Sequence, residues 1–316
     1  MYISDQPHNQ PNLQTVSIII PVFNEVENIR LVCNEIELHV REPYEVIFVD
    51  DGSTDGTYNA IAEQFVRDYR IKCISLSRNF GHQNALMAGM HAASGDYVVL
   101  MDGDLQHPPS LIPLMLEHLD NGFDLVNTKR SNNPNGAAKN ITGSLFYRFI
   151  NSVSDTRIEP DVADFKAFNR KVLLSILQFR ERDLFLRGIF SWVGFKTTLI
   201  EFAARERKHG KTKYSYSKMT GLASKGITSF SFKPLRVAFS IGAVISLLAF
   251  AFGIFAIVSF YRGVTVPGWS STIIAIMFLG GTQLLAIGLL GEYISSLFIE
   301  TKNRPLYLVD KKINLD

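Results

Sequence analysis

Two aspartates one residue apart, Asp102 and Asp104 around Gly103, close the apolar run Tyr97–Met101, and Gln106, His107 and two prolines follow them. Carboxylates this close repel unless a cation neutralises them. Hard oxygen donors of this kind suit Mg2+ or Mn2+, which bind through one or two carboxylates and complete their shell with substrate phosphates. Gln106 or His107 stands near enough in sequence to complete such a shell, and Gly103 lets the backbone turn tightly. Taken alone, the D-x-D pattern is equally that of a solvated turn with an Asx cap. A second acidic cluster, Asp50-Asp51-Gly52-Ser53, ends the apolar run from Tyr44. It suits contact with a base or ribose, and it also suits a strand-to-helix turn capped by Ser53 or Asp55. Neither GxxxxGK[ST] nor GxGxxG follows the first apolar run. Without such a loop, a nucleotide could still be held by Asp50-Asp51 on its base or ribose and by a metal on its diphosphate, and a metal-gripped diphosphate leaves readily because the metal offsets its developing charge.

Positioning these groups falls to alternating elements. The sequence predicts strands at Val16–Asn24, Tyr44–Ser53, Ile71–Asn79, Tyr97–Asp104 and Asp124–Arg130. Between them it predicts helices at Glu25–Val40, Thr57–Tyr69, His82–Ala93 and Leu111–Leu119. Alternation at this spacing implies βαβ units and an α/β fold with a mainly parallel sheet. Ligands of such sheets sit beyond the carboxyl ends of the strands. There the chain places Asn24-Glu25, Asp50–Ser53, Ser77-Arg78-Asn79, Asp102–Asp104 and Lys129-Arg130, which together predict an active site on one edge.

The chain has 316 residues, 47% hydrophobic and 20% charged, with formal net charge +2. That suffices for one sizeable domain and a smaller appendage, and it offers no electrostatic basis for binding nucleic acid. Cys33 and Cys73 form no CxxC pair, which argues against a disulfide framework or zinc site and fits a reducing compartment. Residues 1–15 are polar, carry prolines and lack an apolar h-region, so they read as a disordered tail and not a secretory signal. Two uncharged runs, Val237–Phe260 and Trp269–Leu290, are each long enough to cross a bilayer as a helix. The layout expected is a domain over 16–220, an amphipathic juxtamembrane segment over 221–236, a two-helix membrane domain over 237–290 and a tail over 291–316. Lys218, Lys225, Lys233 and Arg236 precede the first span, Lys302, Arg304, Lys311 and Lys312 follow the second, and only Arg262 lies between. The positive-inside rule then puts both the large domain and the tail in the cytoplasm, in a multi-pass protein of the cytoplasmic membrane. Gly280 and Gly281 permit close helix approach and homo-oligomers.

The stretches SIIIPVFNEVENI, VIFVDDGSTDGT, SRNFGHQNALMAG and LMDGDLQHPP resemble those of family 2 glycosyltransferases with the GT-A fold, in the polyprenyl-phosphate glycosyltransferase branch. The likeness continues through DFKAFNRKV, RGIFSWVGF and RKHGKTKYS to GLLGEYISSLFIETKNRPLY, and so covers nearly the whole chain beyond the N-terminal tail. It implies a nucleotide-sugar pocket built from Pro21, Asn24, Glu25, Asp50, Asp51 and Ser53, with Arg78, Asn79 and His82 over the donor phosphates. Asp102, Gly103, Asp104 and Gln106 resemble the family's metal and diphosphate site, with Asp104 also counted as catalytic. Asp164 matches the acid usually proposed near the acceptor, and Arg170 follows on the same element. RKHGKTKYS resembles a mobile basic loop whose Arg207, Lys213 and Tyr214 contact phosphate; the family often has Ser where this chain has Thr212. Arg130 and Lys139 join Arg170, Arg207 and Lys213 as candidates for gripping the acceptor phosphate, although each is equally a solvated surface cation.

The resemblance implies inverting transfer of a hexose, with glucose from UDP-glucose the first expectation, to undecaprenyl phosphate at the cytoplasmic membrane face. A phosphate monoester is largely ionised near neutral pH, so Asp164 positions or polarises more than it abstracts a proton. A flippase and a second glycosyltransferase are possible partners. Three rivals stand beside this reading. A processive polysaccharide synthase resembles a QxxRW pattern that RGIFSW does not supply. A transferase with a non-lipid acceptor and an incidental anchor is the second, and a catalytically silent membrane adaptor the third.

Overall fold

The structure, a computed structural model, describes residues 14–131, 162–182, 184–203, 233–263 and 268–315. It divides into two compact units, one formed by residues 1–144, 158–214 and 304–316, the other by 145–157 and 215–303.

The first unit is built on an eight-stranded sheet. Its strands are β1 (Val16–Val22), β2 (Tyr44–Asp50), β3 (Ile71–Leu76), β4 (Tyr97–Leu100), β5 (Leu125–Arg130), β6 (Val162–Asn169), β7 (Thr197–Phe202) and β8 (Val309–Ile313). They lie in the order β7-β5-β6-β4-β1-β2-β3-β8. β1 pairs in parallel with β2 and β4, β2 with β3, and β5 with β7, while β6 and β8 run antiparallel to their neighbours. β1 is buried along its whole length, as a central strand covered on both faces must be. Pro21 lies on the side of β1 that faces β4, just past the last paired residues, Ile19 and Leu100, where a residue without an N–H is tolerated.

Helices α1 (Ile29–His39), α2 (Thr57–Arg67), α3 (His82–Ala92) and α4 (Ile112–Asp120) link the first five strands. α1 buries Ile29, Val32 and Ile36, one stripe at helical spacing. α3 buries the continuous run Ala85–Met90, because it packs directly over the sheet; its Gly89 faces the Ile19 side chain so closely that no Cβ fits. Two short helices, α5 (Arg170–Ile176) and α6 (Leu186–Trp192), follow β6.

The expected strands overrun the observed ones, because their polar ends leave the sheet and become the site loops. Thr15 does not belong to a free tail: its N–H and hydroxyl both donate to Asp96, at 2.9 and 3.0 Å. The largest correction concerns the C-terminal tail. Val309–Ile313 forms β8 on the β3 edge, from Cys73 opposite Ile313 to Leu76 opposite Val309. Only Val309 and Ile313 are apolar in this strand, so the sequence carries little sign of it; the unpaired edge of β3 supplies the partner.

The second unit contains α7 (Lys233–Tyr261) and α8 (Trp269–Thr301). α8 runs on past the expected span end at Leu290. Among the described residues, one helix, Ile274–Thr301, is long and apolar enough to cross a membrane, and α7 contributes the shorter apolar stretch Val237–Phe252. Large side chains on both helices are exposed, Phe239 at 78% and Leu285 at 77%.

Candidate functional site

The carboxyl ends of β1, β2 and β4 lie side by side, with Val22 opposite Asp50 and Ile19 opposite Leu100. The loops that follow are stitched to one another. Asn24 takes a left-handed φ of 54°; its N–H donates to Ser53 Oγ at 2.9 Å, and its Oδ1 accepts the Thr54 N–H at 2.8 Å. The Glu25 N–H donates to Thr57 Oγ1 at 3.0 Å, and its carboxylate accepts from Asn28 Nδ2 at 2.6 Å. Asp50 is buried, accepting the Ser53 N–H and the Ser75 hydroxyl, both at 3.0 Å. Asp51 accepts the amides of Phe80 and Gly81 at 2.7 and 2.9 Å; burial holds its carboxyl above the usual carboxylate value, against the pull of those amides. Both acids therefore brace the loops that frame the cleft. Gly52, at φ 73°, lets the β2 loop touch the β3 loop, where a Cβ would lie 2.5 Å from the Arg78 carbonyl carbon. Arg78 and Asn79 stand exposed at this rim, the guanidinium 4.2 Å over the Phe80 ring.

On the adjoining turn, Asp102 is the open carboxylate, with 31% of its side chain exposed. His82 Nε2, at the start of α3, lies 3.7 Å from one oxygen and His107 Nδ1 lies 3.6 Å from the other. Asp104 is buried and accepts the Gln106 N–H at 3.0 Å, so the Asx cap that the sequence allows is present. Between them, Gly103 passes so close to β1 that a Cβ would meet Val22 Cγ1 at 2.8 Å, and Leu105 is held at φ 62°. Left-handed backbone at a non-glycine residue is strained, and this one is imposed by the turn. Gln106 Oε1 accepts from Arg130 Nη2 at 3.2 Å, which brings β5 to the same edge.

His107 lies beneath this turn, fully buried. Its ring stacks on Phe165 at 5.1 Å and 11°, with Phe202 edge-on at 5.9 Å. Nδ1 accepts the Asp102 N–H at 3.1 Å. Burial pushes the imidazole pKa down, against the pull of Asp102 and Asp104, so the ring is neutral and its proton sits on Nε2.

Among the described residues, no three His, Cys, Asp or Glu side chains gather into a metal cage. Asp102, Asp104 and Gln106 instead offer a few hard oxygens on one turn. That donor set fits a Mg2+ or Mn2+ ion that relies on substrate phosphates and water for the rest of its shell.

β6 carries Asp164. It runs antiparallel to β4 with Leu100 opposite Lys166, so two further residues along each strand bring Asp164 level with Asp102. Arg187, on α6, grips Asp164 with both ends of its fork, Nε to Oδ1 and Nη2 to Oδ2, each at 2.9 Å. Burial alone would raise the Asp164 carboxyl, but the Arg187 guanidinium outweighs it and holds the group well below the usual carboxylate range. The start of α6 is tied to α3, where the Leu186 N–H donates to Gln83 Oε1 at 3.1 Å. Two residues beyond Asp164, Lys166 is buried and donates to Asn127 Oδ1 at 2.7 Å. Neither Arg187 nor Lys166 is singled out from the sequence, where the one available sign for Arg187 is a lone cation beside Gly188 in an otherwise apolar run.

Arg170 is a correction. It sits past the far end of β6, roughly 20 Å along the strand from Asp164, where Nη1 donates to the Ala93 and Gly95 carbonyls at 2.7 and 3.4 Å. The antiparallel course of β6 delivers its two ends to opposite edges of the sheet, so Arg170 braces the loop before β4. Lys139, Arg207, Lys213 and Tyr214 lie outside the described residues, as does most of the 221–236 segment.

Residues 17–177 match the glycosyl transferase family 2, and residues 233–297 match the GtrB C-terminal hairpin. The SfII prophage-derived bactoprenol glucosyl transferase of Shigella flexneri is 42% identical over 301 residues, covering 94% of this chain and 97% of that protein. The prophage bactoprenol glucosyl transferase homolog of Escherichia coli K12 is 41% identical over 301 residues, covering 94% and 98%. Among solved structures, glucosyl-3-phosphoglycerate synthase from Mycobacterium tuberculosis matches with a TM-score of 0.48 at 20% identity, covering 68% of this chain and 76% of that one. The acids gathered at the carboxyl edge of a GT-A sheet thus stand in a chain that belongs to glycosyl transferase family 2, a glycosyltransferase by its domain and by its nearly full-length relatives.

Proposed function

We propose that the protein transfers glucose from UDP-glucose to a polyprenyl phosphate at the face of a membrane. The observation that carries this reading is the 42% identity to a bactoprenol glucosyl transferase over 94% of the chain, a match that includes the helical hairpin as well as the catalytic domain. In this reading Asp102 and Asp104 would hold a divalent ion, which would supply positive charge to offset that developing on the departing diphosphate. Arg78 and Asn79 at the exposed rim face the donor phosphates, and the stitched loops carrying Asn24, Glu25 and Ser53 shape the nucleotide end. The acceptor phosphate oxygen bonds to the anomeric carbon while the bond from that carbon to the diphosphate oxygen breaks, its electron pair leaving with UDP. An ionised phosphate acceptor needs no proton removed, so Asp164 has no general-base duty.

The proposed topology has two membrane spans, a reading that connectivity supports. The chain leaves the sheet at Phe202 in β7 and rejoins it at Val309 in β8. A segment that starts and ends in one folded sheet crosses a bilayer an even number of times. With Ile274–Thr301 able to span, α7 makes the second crossing. Exposed Phe239, Phe250 and Leu285 then face lipid. The cationic flanks at Lys233, Arg236, Lys302 and Arg304, against a lone Arg262 in the connection, put the catalytic domain in the cytoplasm.

The test uses the purified full-length protein with Mn2+ or Mg2+, undecaprenyl phosphate and radiolabelled UDP-glucose, screened beside other nucleotide sugars. The expected product is chloroform-soluble and releases glucose in mild acid. Label that stays in the aqueous phase with every donor would overturn the reading.

A further inference from the structure

Asp164 poses an electrostatic problem that the proposed reaction makes acute. A carboxylate at the level of Asp102 would repel a phosphate dianion approaching the anomeric carbon, and the acid turn already concentrates negative charge. A carboxylate in this place serves a hydroxyl acceptor, which must lose a proton, better than it serves a phosphate, which need not.

The fork of Arg187 changes both properties. Its two 2.9 Å bonds occupy both oxygens of Asp164 in a parallel, bidentate geometry, which is the strong form of this pairing. The guanidinium cannot drift away, because α6 is pinned at Leu186 to Gln83 and seated by buried Leu186, Ile189 and Phe190. The pair is nonetheless reachable, with 33% of the arginine and 28% of the aspartate side chain exposed.

We propose that Arg187 sets the acceptor class of this enzyme: by binding both oxygens of Asp164 it removes a would-be base and presents a neutral ion pair beside which an anionic phosphate can be seated. This inference rests on the polyprenyl-phosphate reading above. The transfer then balances without a proton. A dianionic acceptor and a dianionic sugar nucleotide become a monoanionic diester and trianionic UDP, with the new phosphate oxygen–carbon bond replacing the old carbon–diphosphate bond. Arg187 is a positioning residue, since it acts through Asp164.

Steady-state kinetics of the full-length enzyme with UDP-glucose and undecaprenyl phosphate separate the possibilities. Arg187→Met keeps the aliphatic stem and should raise the acceptor KM about tenfold or more, while the KM for UDP-glucose stays within about twofold. Adding Asp164→Asn removes the uncovered charge, so D164N/R187M should recover a lower acceptor KM than R187M alone. Arg187→Lys, which keeps the charge and loses the fork, should fall between wild type and R187M. If R187M does not fold, the same inference is read from R187K, whose acceptor KM should rise several-fold. An acceptor KM within twofold of wild type in every folded Arg187 variant overturns the proposal. So does a double variant no better than R187M, the result expected of a packing role. Wild-type enzyme that makes no lipid-linked product instead overturns the reading on which this inference rests.

Discussion

The imidazole of His107 accomplishes more than its position directly after Gln106 suggests. It accepts the Asp102 N–H with Nδ1 and is clamped between Phe165 and Phe202, so it sets the backbone that aims the open carboxylate. Groups that orient a metal ligand are typically worth about 10–100-fold in metal affinity. His107→Leu should therefore weaken Mn2+ binding by at least about tenfold, read from the free-Mn2+ electron paramagnetic resonance signal. His107→Asn, whose Oδ1 can replace Nδ1 as acceptor, should recover most of it. Equal affinities in the two variants would assign the ring to packing alone. Arg170 supplies the opposite case. Its guanidinium braces Ala93 and Gly95 at the amino end of β4, away from the acids. Arg170→Ala should cost roughly 1.5–3 kcal/mol of stability, measured by denaturation, and leave the acceptor KM unchanged.

Elements explain why those residues behave so differently. β6 starts at the acid edge and ends at the other, which brings Asp164 to the site and carries Arg170 out of it. α6, a helix of seven residues, delivers Arg187 because its first amide is fixed to Gln83. β8 closes an edge that would otherwise expose β3, whose end leads directly into Arg78 and Asn79. Removing residues 309–316 should therefore destabilise the catalytic unit by roughly 2–4 kcal/mol, a few net backbone hydrogen bonds. Hydrogen exchange at the amides of Ile71–Leu76 should accelerate with it. Unchanged protection there would mean that β8 is peripheral to the sheet.

At the scale of the whole molecule, connectivity decides topology. Because β7 and β8 belong to one sheet, the chain between them is a closed excursion from that sheet, and the proposed topology puts its turn on the far side of the membrane from both ends. Single cysteines placed at Arg262, Lys302 and Asp310, in a background with Cys33 and Cys73 replaced by serine, provide the check. An impermeant maleimide added to intact cells should label position 262 and spare 302 and 310. Labelling of 262 and 310 together would contradict a crossing by α8.

Much of the fold is legible in the sequence. Runs such as Val16–Val22 and Tyr44–Asp50 declare buried strands by their unbroken apolar, β-branched character, and the alternation with amphipathic helices implies the parallel core. The polar residues just past those runs had to share an edge, since parallel strands end together. The uncharged runs Val237–Phe260 and Trp269–Leu290 are likewise legible as long apolar segments, and both lie within helices. Tertiary structure decided what local pattern cannot encode, namely which direction a strand takes and which donor meets which acceptor. It turned Asp50 and Asp51 into braces, paired Asp164 with Arg187, exiled Arg170 and recruited the last strand. Each outcome depends on partners distant in sequence, 103 residues apart for Leu186 and Gln83, whose meeting is dictated by the burial and hydrogen-bond needs of the whole sheet.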